Sequence, residues 1–316
     1  MKKILICGAT GFIGRNLAEF YSSQEGYKVI GVFNKRPPYD LDGLNWIKAD
    51  LTNDLDVNRA LENVDIIIQA AATTSGSKDI INRPYIHTTD NAVMNSLIFR
   101  AAYEKKIKHV IFFSCTVMLQ SSDRPLSEND FDGNVAIHTR YFGVGWTKLY
   151  IEKMCEFYSG LGLTKFTAIR HSNIYGPHDK FDLEKSHVFG ATITKVMSAK
   201  NGKVVVWGAG EESRDLLYVS DLINFVNKAI TNQKDKFSLF NCGYGEAVAI
   251  KDLVQKIVEL SGLELKIEYD LSQPSIKTSL FLDCTKAKDQ LGWERSVSLN
   301  DGIAKTLQWW RDNVKA

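Results

Sequence analysis

Lys3-Ile-Leu-Ile-Cys-Gly-Ala-Thr-Gly-Phe-Ile-Gly14 starts as an apolar run of strand length, breaks into glycines and continues as the helical pattern Arg15-Asn-Leu-Ala-Glu-Phe-Tyr21. Strand, glycine turn and helix in that order are the context a dinucleotide loop requires. Gly8 lets the chain turn tightly off the strand, Gly11 lets the backbone approach a pyrophosphate, and Gly14 lets the helix pack close to the sheet. The phosphates then meet a helix N-terminus, where unpaired N–H groups and the positive dipole end favour negative charge. Gly8, Thr10, Gly11, Phe12, Ile13 and Gly14 are therefore the candidate phosphate contacts.

The next segments extend that reading. Tyr27 to Phe33, Leu44 to Ala49, Val64 to Ala70 and His109 to Phe113 are further apolar runs, and helical patterns such as Asn91 to Lys105 lie between them. Continuous rather than alternating apolarity predicts strands buried on both faces, hence an α/β fold with a doubly wound parallel (Rossmann) sheet. Ligands on such sheets bind beyond the carboxyl ends of the strands. After the second strand come Asn34, Lys35 and Arg36. With no acid there to hold a ribose 2′-hydroxyl, the turn leans towards NADP, although NAD stays open and a solvated basic turn reads the same way. Asp50 and Leu51 are placed to hold and cover an adenine. Gln69, Ala70 and Ala71 offer small neighbours along which a cofactor can lie, as any helix–sheet contact also would.

Composition sets the outer bounds. The 316 residues are 44% hydrophobic and 24% charged, with a net charge of +2, which is ordinary for a globular protein and offers no dedicated surface for nucleic acid or an anionic membrane. The five cysteines are scattered and odd in number, as expected of reduced thiols in a cytoplasmic protein. The apolar run after Met1-Lys-Lys is too short for a signal peptide or a membrane span. No metal site is expected.

Chemistry is expected after the fifth strand. Ser114 and Thr116 stand two residues apart, on one side of a continuing strand. Then Tyr141-Phe-Gly-Val-Gly-Trp-Thr-Lys148-Leu-Tyr-Ile-Glu-Lys153 reads as a helix with Lys148 inward.

Here a resemblance is evident. Gly8 to Gly14, Asp50-Leu51, Asn91, Ser114 and Gly145-Trp-Thr-Lys148-Leu-Tyr-Ile-Glu152 resemble the extended short-chain dehydrogenase/reductase (NAD-dependent epimerase/dehydratase) family, in its nucleotide-sugar modifying part. Asn173-Ile-Tyr-Gly-Pro-His-Asp-Lys-Phe-Asp182, Ser186-His-Val188, Val204-Val-Val-Trp-Gly208 and Arg214-Asp-Leu-Leu-Tyr-Val-Ser-Asp221 are similar to its GDP-fucose synthase branch. Leu282-Asp-Cys-Thr-Lys-Ala-Lys288 and Leu291-Gly-Trp293 look like the tail of its epimerases.

The resemblance implies a Ser or Thr, a Tyr and a Lys, the last two spaced Tyr-x-x-x-Lys. One helical turn sets the lysine beside the phenol, where it holds the cofactor ribose and lowers the phenol pKa. Ser114 and Lys148 match, but the tyrosine position holds Val144. Valine cannot move a proton, so another group does, or the chain only binds. Tyr141, seven residues before Lys148, is one substitute if the helix reaches that far, and a rim tyrosine otherwise. Thr116, or a water relayed by Ser114, is another, and a slow enzyme is expected either way. The branch also epimerises with a cysteine–histidine pair. His187 matches the histidine, as catalyst or sugar donor, but Thr116 stands at the cysteine, and Cys115 points the other way if the strand continues.

On the substrate side, the resemblance implies that Lys195 and Arg214 clamp a pyrophosphate, that Trp207 stacks on the base unless it fills the core, and that Asn173 reaches the sugar. Lys277 is the nearest charge where further phosphate contacts belong. His171 stands where a residue contacts the nicotinamide amide, and Asn91 belongs to the cofactor set.

The implied protein is an NAD(P)-dependent oxidoreductase moving hydride at C4 of a nucleoside-diphosphate sugar, GDP-linked by preference. The alternatives are a 4-epimerase and a catalytically impaired binding protein. A nucleotide domain of residues 1–170 plus 216–241, a smaller α/β substrate lobe of 171–215 plus 242–316, a mouth loop from Gln120 to Thr139 and a homodimer through two helices complete the expectation.

Overall fold

The structure is a computed structural model that describes residues 1–73, 84–183, 186–272 and 279–314, without the side chains of Pro84 and Arg140. Seven parallel strands form the main sheet: β1 (Lys2–Cys7), β2 (Tyr27–Phe33), β3 (Leu44–Lys48), β4 (Ile66–Gln69), β5 (His109–Phe113), β6 (Lys165–His171) and β11 (Phe237–Cys242). Their order is β11-β6-β5-β4-β1-β2-β3, and every neighbouring pair is parallel. The chain winds outward from β1 to β3, then returns to β4 on the other side of β1. That reversal opens a crevice at the carboxyl ends of β1 and β4.

Successive residues of a strand point to opposite faces, and both faces here are covered. Ile4 and Ile6 join a core with α1 (Phe12–Ser22) and α6 (Val219–Asn232). Leu5 and Cys7 join a second core with α3 (Pro84–Glu104) and α4 (Phe142–Leu161), around Phe99, Phe112 and Phe166. This two-sided burial is why the central strands β1, β4 and β5 carry unbroken apolar runs rather than alternating ones.

The remaining elements form a smaller α/β lobe. It holds β7 (Asn173–Tyr175) paired with β10 (Leu216–Tyr218), β8 (Lys203–Trp207) paired with β13 (Lys266–Asp270), and β9 (Ser213–Arg214) paired antiparallel with β12 (Val248–Ala249). Helices α5 (Val188–Met197), α7 (Ile250–Ser261) and α9 (Leu299–Asn313) close a third core that includes Phe189, Ile257 and Trp310.

Two buried carboxylates stitch distant segments together. Asp221 accepts from the amides of Ser296 at 3.0 Å and Val297 at 3.1 Å and from the Ser296 hydroxyl at 2.7 Å. Asp215, at the carboxyl end of β9, accepts from the amides of Tyr244, Gly245 and Leu282. A buried carboxylate is tolerated when backbone donors replace its water, so both acids of the Arg214 to Asp221 motif serve the fold. In the tail motif, α8 (Thr285–Leu291) ends at Gly292, whose φ of +63° is the left-handed conformation glycine adopts without strain. That turn delivers Trp293 into the first core, where its indole N–H donates to the Asp221 carbonyl at 3.0 Å.

The segment from Gln120 to Thr139 is pinned rather than loose. The Ser122 and Leu126 amides donate to the carbonyls of Ser279 and Phe281, Arg124 grips Asp130 with both terminal nitrogens, and Leu126 and Ile137 pack with Met118 and Leu282.

Candidate functional site

Gly8 has a φ of +73°, and a Cβ there would lie 2.7 Å from the Ala71 Cα. The ends of β1 and β4 touch, and only a glycine lets them. A Cβ on Gly14 would lie 2.2 Å from the Gly8 carbonyl oxygen, so the helix rests directly on the turn. Gly11 is the N-cap of α1 and no side chain caps that terminus. The amides of the first turn are thus left for an anion, and the cradle fits a dinucleotide pyrophosphate.

The basic turn after β2 folds over this loop. Arg36, though exposed, donates to the Thr10 carbonyl at 2.7 Å. Asp50 accepts from the Thr52 hydroxyl at 2.7 Å and amide at 3.0 Å, and these bonds, with Lys35 and Asn34 nearby, hold its carboxyl below the usual range. Leu51 is turned into the second core rather than outward over a ring.

After β4, two expected cofactor residues prove to be anchors of their own loop. Gln69 donates to Asn95 and accepts from the Ala71 amide at 3.3 Å. Asn91 accepts from the Thr73 amide and donates to the carbonyls of Thr73 and His87. Both amides are buried and spent on shaping Ala70 to Thr73.

The end of β5 differs most from the sequence expectation. Lys148 Nζ donates to the Phe113 carbonyl at 2.7 Å and lies 4.7 Å from the Phe112 ring centroid. One turn further along α4, Glu152 takes the next residue: Ser114 Oγ donates to its Oε1 at 2.5 Å. Arg170 meets the same carboxylate through Nε at 3.0 Å and Nη2 at 2.7 Å. Ser114 is 1% exposed, so its hydroxyl belongs to this buried cluster. Strand alternation also fails to carry past Phe113, because the chain turns and Leu119 donates to the Thr116 carbonyl. Ser114 and Thr116 therefore do not share a face as a matter of pleat. Cys115, expected to point away, is half-buried and acts electrostatically on Lys148, as do Glu152 and Cys155. Burial holds the Lys148 ammonium below its ordinary pKa.

Tyr141 lies in a 3-10 turn, Thr139–Tyr141, before α4 begins at Phe142. It is not two turns up the Lys148 face. Its ring packs with His138 and the fourth core, and its charge is felt by Arg214.

On the lobe side, His171 ends β6 and His187 is the N-cap of α5. Burial lowers the His171 pKa to about 4, a carbonyl bond acts against that, and the charges of Lys148 and His187 press it further down. Lys195 sits 5.0 Å from the Trp207 ring centroid and donates to the Val205 carbonyl at 3.0 Å. Trp207 is 55% exposed, on the outward side of a strand whose Val204 and Val206 are buried, and so is no core filler. Arg214 donates to the Ser213 carbonyl at 2.8 Å. The Asn173 side chain donates to the Asp215 carbonyl at 3.1 Å, which uses one of its two amide protons locally. Lys277 lies outside the described residues.

A glycine cradle, a lysine held at the carboxyl edge two strands away, and a Rossmann sheet form one assembly. The family model for the NAD dependent epimerase/dehydratase family matches residues 4–243. The chain belongs to that family. Within it, the chain is 28% identical over 285 residues to the GDP-L-fucose synthase of Escherichia coli K12, covering 86% of this chain and 87% of that one. It is also 28% identical over 313 residues to the GDP-L-colitose synthase of Yersinia pseudotuberculosis, covering 98% and 97%. Among solved structures, a UDP-glucose 4-epimerase from Thermotoga maritima with UDP-glucose superposes with a TM-score of 0.87 at 24% identity, over 99% of this chain and 100% of that one. This family member thus has the doubly wound parallel sheet expected of it.

Two site residues escape the sequence reading. Glu152 appears there only inside a motif, and Arg170 only as a boundary, yet together they govern Ser114. A buried carboxylate four residues after an inward lysine is the signal that could have exposed the pair, since i and i+4 share a helix face.

Proposed function

We propose that the protein is an NAD(P)-dependent oxidoreductase that transfers hydride at C4 of a nucleoside-diphosphate sugar, as a 4-dehydrogenase or 4-keto reductase. The observation that carries this is Lys148, whose ammonium is fixed on the Phe113 carbonyl on β5, next to β4, which pairs with the strand bearing the glycine cradle. There it can hydrogen-bond a cofactor ribose. Gly8 to Gly14 would hold the pyrophosphate, and Arg36 and Lys35, with no acid between them, favour a 2′-phosphate and hence NADP. When bound, the nicotinamide supplies the two-electron step. This chain's residues orient it, exclude water and handle the proton.

The substrate reading rests on charge and stacking. Arg214 and Lys195 supply cations for two phosphates, and the exposed Trp207 supplies a flat face for a base, guanine by likeness to the GDP-sugar relatives. His187 and Asn173 complete the sugar contacts. Residues 1–170 plus 216–241 then form the nucleotide domain and the rest the substrate lobe, in a cytoplasmic enzyme. Val144 favours a second reading, a nucleotide-sugar-binding protein without turnover.

The test is a single-turnover assay of purified protein, following absorbance in the reduced-nicotinamide band, with NAD, NADP and a panel of GDP- and UDP-sugars. Hydride transfer with a GDP-sugar is expected, faster with NADP than with NAD. Tight sugar binding with no absorbance change in either direction would leave the binding-protein reading standing.

A homodimer is part of the proposal. Along α4, Phe142, Trp146, Tyr150, Phe157 and Leu161 are all more than 40% exposed, and their spacing places them on one stripe of the helix. Helix α3 packs beside it and exposes Val93 and Tyr103. Apolar stripes on adjacent helices suit a two-fold helical interface with a second copy. Trp146→Glu is expected to shift the protein from dimer to monomer in sedimentation velocity, with its circular dichroism unchanged; a variant that stays dimeric would refute this face.

A further inference from the structure

The geometry points to His171 as the group that carries the substrate proton, in the place of the phenol that position 144 lacks. The inference rests on the oxidoreductase reading above. Four observations bear on it. Val144 has no titratable atom. The Ser114 hydroxyl is buried against Glu152. Tyr141 sits in the turn before α4, on the Arg214 side. His171, by contrast, shares Phe113 with Lys148: the Phe113 ring meets the imidazole edge-on at 6.0 Å, and the Phe113 carbonyl holds the lysine.

The tautomer is the decisive feature. His171 Nδ1 lies 2.7 Å from the Ser172 carbonyl oxygen. A carbonyl only accepts, so Nδ1 carries the proton, and the neutral ring presents Nε2 as a bare acceptor. Among the described residues no side chain or amide donates to Nε2. A fixed tautomer with one open nitrogen lone pair is what a general base requires.

The step balances as follows. The sugar C–H bond breaks, its electron pair leaving as hydride for the oxidised nicotinamide. The O–H bond breaks, its electrons becoming the second bond of the new carbonyl. The proton goes to His171 Nε2, and the imidazolium then releases it to solvent. Reduction of a 4-keto sugar is the same step in reverse. Lys148 from α4 and His187 from α5 face the ring as positive or potentially positive groups, Phe113 from β5 is apolar, and the register partner on β11 is the buried Cys242. These surroundings keep the free imidazole neutral, and the diphosphate of a bound substrate offsets part of that effect.

Two measurements test the assignment. In nitrogen NMR of the unliganded protein, His171 is expected as the Nδ1–H tautomer at neutral pH; an Nε2–H tautomer would overturn it. In single-turnover oxidation of the sugar, His171→Gln is expected to slow hydride transfer by about 10²- to 10⁴-fold. It should also remove the acid-side fall in rate, with the circular dichroism of the variant unchanged. Adding Val144→Tyr to His171→Gln should recover at least a tenfold share, since a phenol then stands one turn from Lys148. If His171→Gln keeps the wild-type rate and pH profile, the assignment falls while the oxidoreductase reading survives. If the unsubstituted protein moves no hydride with any sugar, both fall.

Discussion

Glu152→Ala is expected to cost about 3–5 kcal/mol of stability, because it removes one partner of a buried ion pair and leaves the other charged. Both side chains are at most 5% exposed. Among the described residues the guanidinium would keep the Glu128 carbonyl alone, at 3.0 Å, and the Ser114 hydroxyl would lose its acceptor. In a chain of this size, such a loss lowers Tm by about 5–8 °C, measured by calorimetry or a circular-dichroism melt. Glu152→Leu with Arg170→Met removes both charges at similar volume and should recover most of the loss, since desolvation of the pair offsets much of its Coulombic gain. If the single variant melts within 2 °C of the parent, the cluster is not an anchor of the fold. The consequence reaches the site: Glu152 holds Ser114 one turn from where Lys148 holds Phe113, so loosening one loosens the other.

Lys148→Ala is expected to leave the fold intact and end hydride transfer. Among the described residues its ammonium makes one hydrogen bond, to a backbone carbonyl, and burial holds it below its ordinary pKa, so removing it relieves a desolvated charge. On the proposed function, what is lost is the cation that would hydrogen-bond a cofactor ribose. Transfer should fall by about 10²- to 10⁴-fold, with weaker cofactor binding by fluorescence titration and a Tm unchanged or slightly raised. The pH dependence carries a sign. A lysine with a lowered pKa loses its proton as pH rises through that value, sooner than an ordinary lysine does. The alkaline fall in rate should therefore come below the usual lysine range. A rate that stays flat through that range, or an active Lys148→Ala, would remove Lys148 from the mechanism.

Legibility divides along chain distance. The glycine cradle was plain because its strand, turn and helix are contiguous, and Gly8 and Gly14 meet the close approaches that glycine serves. Strands β1, β4 and β5 were plain because two-sided burial writes itself as unbroken apolarity, whereas the edge strand β3 is only half-buried and its run is broken by Asn45. Trp207 was half legible: strand alternation allowed either face, and only packing of Val204 and Val206 turned it outward. Tyr141 stays open in the sequence between the helix face and a rim position, because nothing local marks where the helix starts; the 3-10 turn that ends at Tyr141 places it before the helix. Gln69 and Asn91 show the same limit: in sequence an amide looks the same whether it faces a ligand or straps its own loop, and only packing shows the loop bonds.

The sequence by itself determined the family, the sheet, the phosphate cradle and the helix that carries Lys148, because each follows from local periodicity or from residues within one turn of each other. Only the tertiary structure decided what the polar side chains do. Ser114 finds its acceptor 38 residues away, Glu128 meets the Asn241 amide across 113, and the Phe113 edge that joins Lys148 to His171 exists only once β5, β6 and α4 pack. A hydroxyl or an imidazole has several possible partners in a chain. Burial selects among them, because a buried polar group left unpaired costs about 1–3 kcal/mol.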